Sequence, residues 1–369
     1  MEEKLYTLAL SRLRGISQAM AMQLYQQVGN AGDIFLHHKD LENLSDEGRR
    51  RLNEAMSSAP EVLKRAENEL EFAERNSIST FCFNDTDYPT RLRECDDAPL
   101  VLFYRGSVSL NAARILSVVG TRRITEQGKD LCRNLCRELQ EAHPDLLIVS
   151  GLAYGVDIHA HRGALEFGLP TVGVLAHGLD RIYPAGHRTE AVRMVKQGGL
   201  LTEYMSGTNP DKGCFVRRNR IVAGMADATI VVESAAKGGA LITATLAGDY
   251  NRTVLAFPGR PTDRYSEGCN ALIRDNKAAL ITSAADVLSL MGWTPTRKKK
   301  KPVEQDIFLT LSEEEQRIRS ALINTDGLQI NRLAVLTGIS VGKLSALLFE
   351  LELKGKVKPM SGGNFRWTD

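Results

Sequence analysis

The chain has 369 residues, and its 47 Lys and Arg against 45 Asp and Glu leave a formal net charge of only +2. Bulk electrostatics therefore cannot draw it to nucleic acid, and any such binding must rest on local clusters. No apolar run approaches the roughly 20 residues of a bilayer span, and the charged start Met1-Glu2-Glu3-Lys4 is not that of a signal peptide, so a cytoplasmic protein with no membrane partner is expected. The six cysteines form no C-x-x-C pair, as befits reduced thiols. Cys132 and Cys136 fall on one helix face, where packing is expected rather than metal binding.

Residues 1–76 read as a helical domain. Leu5, Leu8, Ala9 and Leu13 recur at helical spacing, Leu13-Arg-Gly-Ile-Ser17 breaks the run, and Met20, Leu24 and Val28 resume it. A glycine turn between two such helices can offer N–H groups to a DNA phosphate, as in a helix-hairpin-helix. Ser17 replaces the second glycine of such a hairpin, and a purely structural bundle is an equally open reading. Residues 77–113 form a lead-in whose Tyr88-Pro89 and Asp97-Ala-Pro99 suit turns, with Leu100–Tyr104 extended.

From Arg114 to Leu290 short Val/Ile/Leu-rich runs alternate with helical ones. The strands expected are Ile115–Val119, Leu146–Val149, Thr171–Leu175, Leu200–Glu203, Ala228–Val232, Thr253–Phe257 and Ala279–Thr282. Continuous apolar runs suit strands buried on both faces. This spacing predicts an α/β fold for residues 77–293: an extended Rossmann-like, doubly wound, mostly parallel sheet whose ligands bind beyond the carboxyl ends of the strands.

Residues 294–310 form a basic linker, Thr294-Pro-Thr-Arg-Lys-Lys-Lys-Lys-Pro302 at its start, read as a solvated tether. Residues 311–369 follow the pattern of a winged helix: helices at Ser312–Ile323, Ile330–Leu336 and Ser340–Lys354, then a ribbon of Val357–Met360 and Asn364–Trp367. Ser312 with Glu315 makes a capping box, and Ser340 is expected to cap the third helix. That third helix offers few base-reading side chains and carries Glu350 and Glu352, so protein contact or internal packing is expected over sequence reading.

Three glycine turns leave strands at one sheet edge: Val119-Gly-Thr-Arg-Arg123, Ser150-Gly-Leu-Ala-Tyr-Gly-Val-Asp-Ile-His-Ala-His161 and Glu233-Ser-Ala-Ala-Lys-Gly-Gly239. A strand, a glycine turn and a helix start place N–H groups where an anion binds. The first turn has neither the spacing of a dinucleotide fingerprint nor a Walker lysine, but its guanidinium suits one phosphate. Asp157 is expected to cap the following helix. His159 and His161, at i and i+2, point apart, which favours packing or polar roles over metal. Phe215-Val-Arg-Arg-Asn-Arg220 is the densest basic cluster of the folded part, with Arg217 and Arg220 set at i, i+3 to span phosphates and at least one arginine bracing the sheet. Glu203 and Glu233 end strands at the same edge, either to hold Mg²⁺, to act as a base or to buffer the arginines.

In order, these motifs resemble the DprA (Smf) family of DNA-processing proteins. The resemblance rests on Tyr88-Pro89 with Asp97-Ala-Pro99, Val119–Arg122, Ser150–Asp157, Gly178-Leu-Asp180 with Tyr183-Pro184, Arg218–Gly224, Glu233-Ser234, Gly238–Leu241 and Phe257-Pro-Gly259, and spans roughly residues 81–290. The family implies a dimeric Rossmann-like protein, here with an N-terminal all-α domain of the helix-hairpin-helix or SAM-like kind. It also implies binding of single-stranded DNA, protection of that DNA during natural transformation, and loading of RecA with displacement of single-strand binding protein. The family's phosphate turn falls on Gly120, Thr121 and Arg122, and its basic residue after the third strand on Arg188. With Gly151, Gly155, Arg217, Arg220, Lys237, Gly238 and Gly239 these form the expected phosphate track, with Tyr154 and Phe215 as candidate stacking partners, core burial being the favoured role for Phe215. No cofactor, metal or catalytic residue is expected. The competing expectation is a nucleotide or phosphoribosyl hydrolase using Glu233 and the Gly238-Gly239 loop; a transcription factor reading duplex through the winged helix is a third.

Overall fold

A computed structural model describes residues 2–39, 41, 45–294, 311–323, 325, 327–360 and 363–368. The chain divides into two compact units, residues 1–297 and 298–369. The basic segment 295–310 lies outside the described residues.

The larger unit begins with five helices: α1 (Glu2–Leu10), α2 (Gln18–Val28), α3 (Ala31–His37), α4 (Asp46–Met56) and α5 (Ala59–Arg75). Gly15 turns the chain between α1 and α2 at φ +84°, and Ser17 spends its hydroxyl capping α2 through Met20 N–H. The α/β part follows as β1 (Ser79–Cys82), α6 (Thr90–Arg93), β2 (Val101–Gly106), β3 (Ile115–Val119), α7 (Glu126–Ala142), β4 (Leu147–Gly151), α8 (Val156–Phe167), β5 (Thr171–Val174), α9 (Arg188–Gln197), β6 (Gly199–Thr202), α10 (Lys212–Gly224), β7 (Ala228–Val231), α11 (Gly239–Asp249), β8 (Thr253–Ala256), α12 (Glu267–Arg274), β9 (Ala279–Leu280) and α13 (Ala284–Leu290).

The strands order as β1-β2-β6-β5-β4-β3-β7-β8-β9. From β6 to β9 every pairing is parallel. The lead-in supplies the two antiparallel strands of the sheet, β1 on β2 and β2 on β6. The chain builds outward from β3 through β4, β5 and β6, then returns to lay β7 on the other side of β3. The switch point is therefore between β3 and β7, where a doubly wound sheet opens its ligand crevice. The central parallel strands β3, β4, β5 and β7 are buried along their whole length, as crossover helices on both faces require. Cys132 and Cys136 pack in the core between α7 and α8, and burial pushes the Cys136 thiol up to about 12.

The N-terminal helices dock on the end of β6. Arg12 Nη2 donates to Glu203 O at 2.5 Å, and Glu69 accepts from Ser206 N at 2.8 Å and Ser206 Oγ at 2.6 Å. The hairpin between α1 and α2 thus turns Arg12 inward, while Arg14 stays exposed and pairs with Glu61 at 2.6 Å.

The smaller unit has its own apolar core. It comprises α14 (Glu313–Leu322), β10 (Leu328–Gln329), α15 (Ile330–Thr337), α16 (Val341–Leu353), β11 (Val357–Met360) and β12 (Asn364–Trp367), with strand order β10-β12-β11. The Ser312–Glu315 capping box on α14 is formed. Ser340 occupies the N-cap position of α16 but makes no side-chain cap bond. No single helix among the described residues is long and apolar enough to cross a bilayer.

Candidate nucleic-acid interface

A groove of about 890 Å³ opens over the switch point. Its floor is built by interlocking the turns after β3, β4 and β7. Thr121 N–H donates to Glu233 O at 2.7 Å, and Val156 N–H to Thr121 O at 3.1 Å. The Glu233 carboxylate accepts Thr125 N–H at 2.9 Å and the Thr125 hydroxyl on its other oxygen. Gly155, at φ +83°, lies against this turn, and a Cβ there would overlap Thr121 O. Gly155 therefore supports the Gly120–Arg122 turn from beneath and does not line the groove. With Thr121 N–H spent on Glu233 and Arg123 N–H on the Thr121 hydroxyl, the N–H groups of Gly120 and Arg122 are left unpaired in the turn.

Glu233 is 8 % exposed and both its oxygens are occupied. It acts as a strut for the phosphate turn. Glu203 is likewise buried, taking Arg220 Nη2 at 2.6 Å and Gln18 Nε2 at 3.4 Å. Both acids thus brace the sheet edge; Glu203 does so in the arginine-buffering role open from sequence, whereas Glu233 is held by Thr125 and pairs with no arginine.

The basic helix α10 divides its arginines by phase. The row Phe215, Arg218, Asn219 and Val222 faces the groove, following the i, i+3, i+4, i+7 stripe of one helix face. Arg220, expected among the phosphate contacts, lies off that row, 5 % exposed and paired with Glu203. Arg217 is exposed but is outside the groove lining. Arg218, 4 % exposed, forms the floor: Nη1 donates to Val174 O, and Nε to Asn219 Oδ1 at 3.3 Å. Its Nη2 makes no hydrogen bond, and the residue lines the groove. Beside it, Asp157 sits in the first turn of α8 while Gly155 holds the N-cap position. The helix starts two residues earlier than expected, so Asp157 is inside it and accepts from Ala153 N–H. Burial raises its carboxyl to about 6, against the pull of Arg218. His161 takes the polar role, bonding Thr171 Oγ1 at 2.7 Å and Gly151 O at 3.1 Å. Burial lowers it to about 4.

The rim carries the accessible charge. Arg122, Arg123, Lys212, Lys237 and Arg264 are exposed and line the groove, and no ion pair takes any of them. Of the lining acids, Asp157 faces Arg218 and Asp211 caps α10 through Cys214 N–H at 2.8 Å. Gly151, Gly238 and Gly239 also line it. The α11 N–H groups of Gly239 and Ala240 have no partner within the chain. Phe215, expected in the core, is half-buried: the Arg122 guanidinium sits 5.2 Å over its ring and Tyr183 packs 5.9 Å away. Val216 and Ile242 continue this wall and are exposed. Arg188 and Tyr154 lie outside the groove, both exposed, on neighbouring turns; Tyr154 meets the His187 ring at 4.7 Å.

Sequence reasoning missed Lys212, Tyr183 and Arg264 as groove residues. Their signal was position: Tyr183 and Arg264 follow β5 and β8, whose carboxyl ends open at this edge.

Residues 79–292 match the family described as DNA recombination-mediator protein A, and residues 308–363 match the DprA winged helix domain. The chain belongs to the DprA (Smf) family. A putative DNA processing protein DprA of Mycobacterium tuberculosis is 35 % identical over 324 residues, covering 84 % of this chain and 82 % of that one. Protein Smf of Escherichia coli is 31 % identical over 324 residues, covering 83 % and 84 %. Among solved structures, the X-ray structure of DprA from Streptococcus pneumoniae superposes with a TM-score of 0.65 at 31 % identity, covering 78 % of this chain and 97 % of that one. A DprA from Helicobacter pylori, described for its single-stranded DNA binding mode, gives 0.52 at 30 % identity over 58 % and 95 %. This DprA-family chain is thus a DNA-processing protein with the family's Rossmann-like sheet and winged helix.

Proposed function

We propose that this chain binds single-stranded DNA across the carboxyl edge of its sheet and performs no chemistry on it. The observation that carries the reading is the mixed lining of the groove. It offers exposed cations without ion pairs, Arg122, Arg123, Lys237 and Arg264, with free N–H groups at Arg122 and α11. Among them stand the apolar and aromatic side chains of Phe215, Tyr183, Val216 and Ile242, with the Arg122 guanidinium over the Phe215 ring. A single strand has phosphates for the cations and exposed base faces for the rings, whereas a duplex keeps its base faces stacked inside. Arg188 and Tyr154 extend the track along the turns after β5 and β4.

Family membership and the single-stranded DNA binding of the H. pylori relative support the strand-binding reading, and we propose with it a cytoplasmic homodimer that protects incoming DNA during transformation. In the same reading it loads RecA onto that DNA in exchange with single-strand binding protein. Two subunits would double the track and raise affinity through effective concentration. The hydrolase alternative requires a free carboxylate, but Glu233 is occupied by Thr125 on both oxygens.

The test is a binding series with oligo-dT of increasing length beside dTMP and AMP. Affinity that climbs with length, with mononucleotides bound weakly and left unchanged, supports strand binding. Tight binding or turnover of a mononucleotide, abolished by Glu233→Gln, would overturn it in favour of the enzyme.

A further inference from the structure

The loop after β8 was not part of the phosphate track expected from sequence, yet it forms one wall of the groove. It runs from Phe257 to Ser266 and is fastened to the turn after β7. Ser234 N–H donates to Tyr265 O at 2.6 Å, and Gly268 N–H to Ser234 O at 2.8 Å. At its start, Gly259 and the Asn270 side chain exchange two hydrogen bonds, at 3.1 and 3.0 Å. Arg264 is therefore presented from a braced loop. It is exposed, lines the groove with Tyr265, and has neither an ion pair nor a hydrogen bond. Lys237 and the unpaired N–H groups of α11 line the same groove, and so does the buried Arg218, whose Nη2 makes no hydrogen bond.

We infer that Arg264 forms, with Lys237 and the N-terminus of α11, a second phosphodiester seat of the strand-binding groove, on the far side of the switch point from Arg122. This rests on the strand-binding reading and adds a footprint to it. Two strand spacings, ~10 Å of sheet edge, separate the β3 and β8 ends. A strand must pass Arg122 and continue over β7 before Arg264 can reach it. An exposed arginine with no bonds in the free protein is also one whose loss leaves the fold intact.

The test uses the full chain, fluorescently labelled oligo-dT of graded length, and the variants Arg264→Ala, Arg264→Lys and Arg122→Ala, each checked by thermal melting. Arg264→Ala is expected to match wild type on the shortest oligonucleotide that binds. On longer ones it should weaken binding about tenfold, with the salt slope shallower by about 0.7. Arg264→Lys should restore that slope. If Arg122→Ala weakens binding while Arg264→Ala matches wild type in affinity and slope at every length, the second seat is wrong and the groove stands. If neither substitution has an effect, the groove reading itself falls and the seat falls with it.

Discussion

Two regions of this protein have the architecture of a nucleic-acid module, the switch-point groove and the winged helix, and they differ in what they leave exposed. In the groove the acids are used internally, Glu233 on the Thr125 turn, Asp211 as a helix cap and Asp157 beside Arg218, while five cations of the rim are unpaired. In the winged helix the lysines of α16 and its C-cap are paired, Lys343 with Glu314 at 2.6 Å and Lys354 with Glu315 at 2.7 Å, and the exposed arginines Arg317, Arg319 and Arg332 stand on α14 and α15 instead. The exposed face of α16, which would enter a major groove, presents Phe349 and Leu353 beside Glu350 and Glu352. Such a face repels phosphate and cannot donate to base edges from its apolar positions. Which partner a fold accepts is thus decided by which charges remain after internal pairing.

The comparison is sharpened most by a matched pair of phenylalanines. Phe215→Ala removes the platform of the groove wall, and base stacking is worth ~1–3 kcal/mol per base. Single-strand affinity should drop roughly 5- to 150-fold and the advantage over duplex should shrink. Phe349→Ala, on the more exposed ring of α16, should leave both within twofold. An equal effect of the two substitutions in anisotropy titrations would break the distinction.

A smaller effect separates the two regions by pH. Asp157 is raised to about 6 from an ordinary 3.8, so the folded state holds its proton longer than the unfolded chain. Its contribution is fully present below 3.8 and is lost as pH rises towards 6. His161 is lowered to about 4 from 6.5; its contribution is present above 6.5 and is lost as pH falls towards 4. Between pH 4 and 6 the two slopes oppose each other. In the winged helix Glu315 is lowered by its hydrogen bond from Lys354, so that unit loses stability as pH falls below the ordinary glutamate value. His161→Asn should therefore reveal the Asp157 slope in the larger unit, stability declining with rising pH by up to ~1.4 kcal/mol per pH unit. Urea unfolding between pH 4.5 and 6 reads this. A variant as pH-insensitive as wild type would show that Asp157 is ionised throughout.

Much of this was legible in the sequence, and the failures have a common cause. The parallel strands emerged in order because burial on both faces writes continuous Val/Ile/Leu runs. The turns at Gly120, Gly151 and Gly238 could be placed because each follows such a run. Which side of α10 faces the groove could not be read. Arg217 and Arg220 share one spacing and Phe215, Arg218 and Val222 another, and both are helical. The choice is made by Glu203 at the end of β6, distant in sequence, which draws Arg220 into the interior. Phe215 had the composition of a core residue, and only the guanidinium of Arg122 above it marks it as a wall of the site. Arg264 was passed over because its loop carries no glycine-rich signature; its relevance comes from the sheet topology, which brings the end of β8 beside that of β7.

The central claim, a phosphate grip at the switch point, is tested most directly by titrating wild type and Arg122→Ala with a labelled single strand and its duplex across a salt series. The expected result is single-strand preference and a steep salt slope in wild type. Arg122→Ala should bind the single strand roughly 10- to 100-fold more weakly, for ~1.5–3 kcal/mol from a charged hydrogen bond, with a slope shallower by about 0.7. Equal binding of duplex, or an Arg122→Ala variant with unchanged affinity and slope, would contradict the account and move the DNA away from this edge of the sheet.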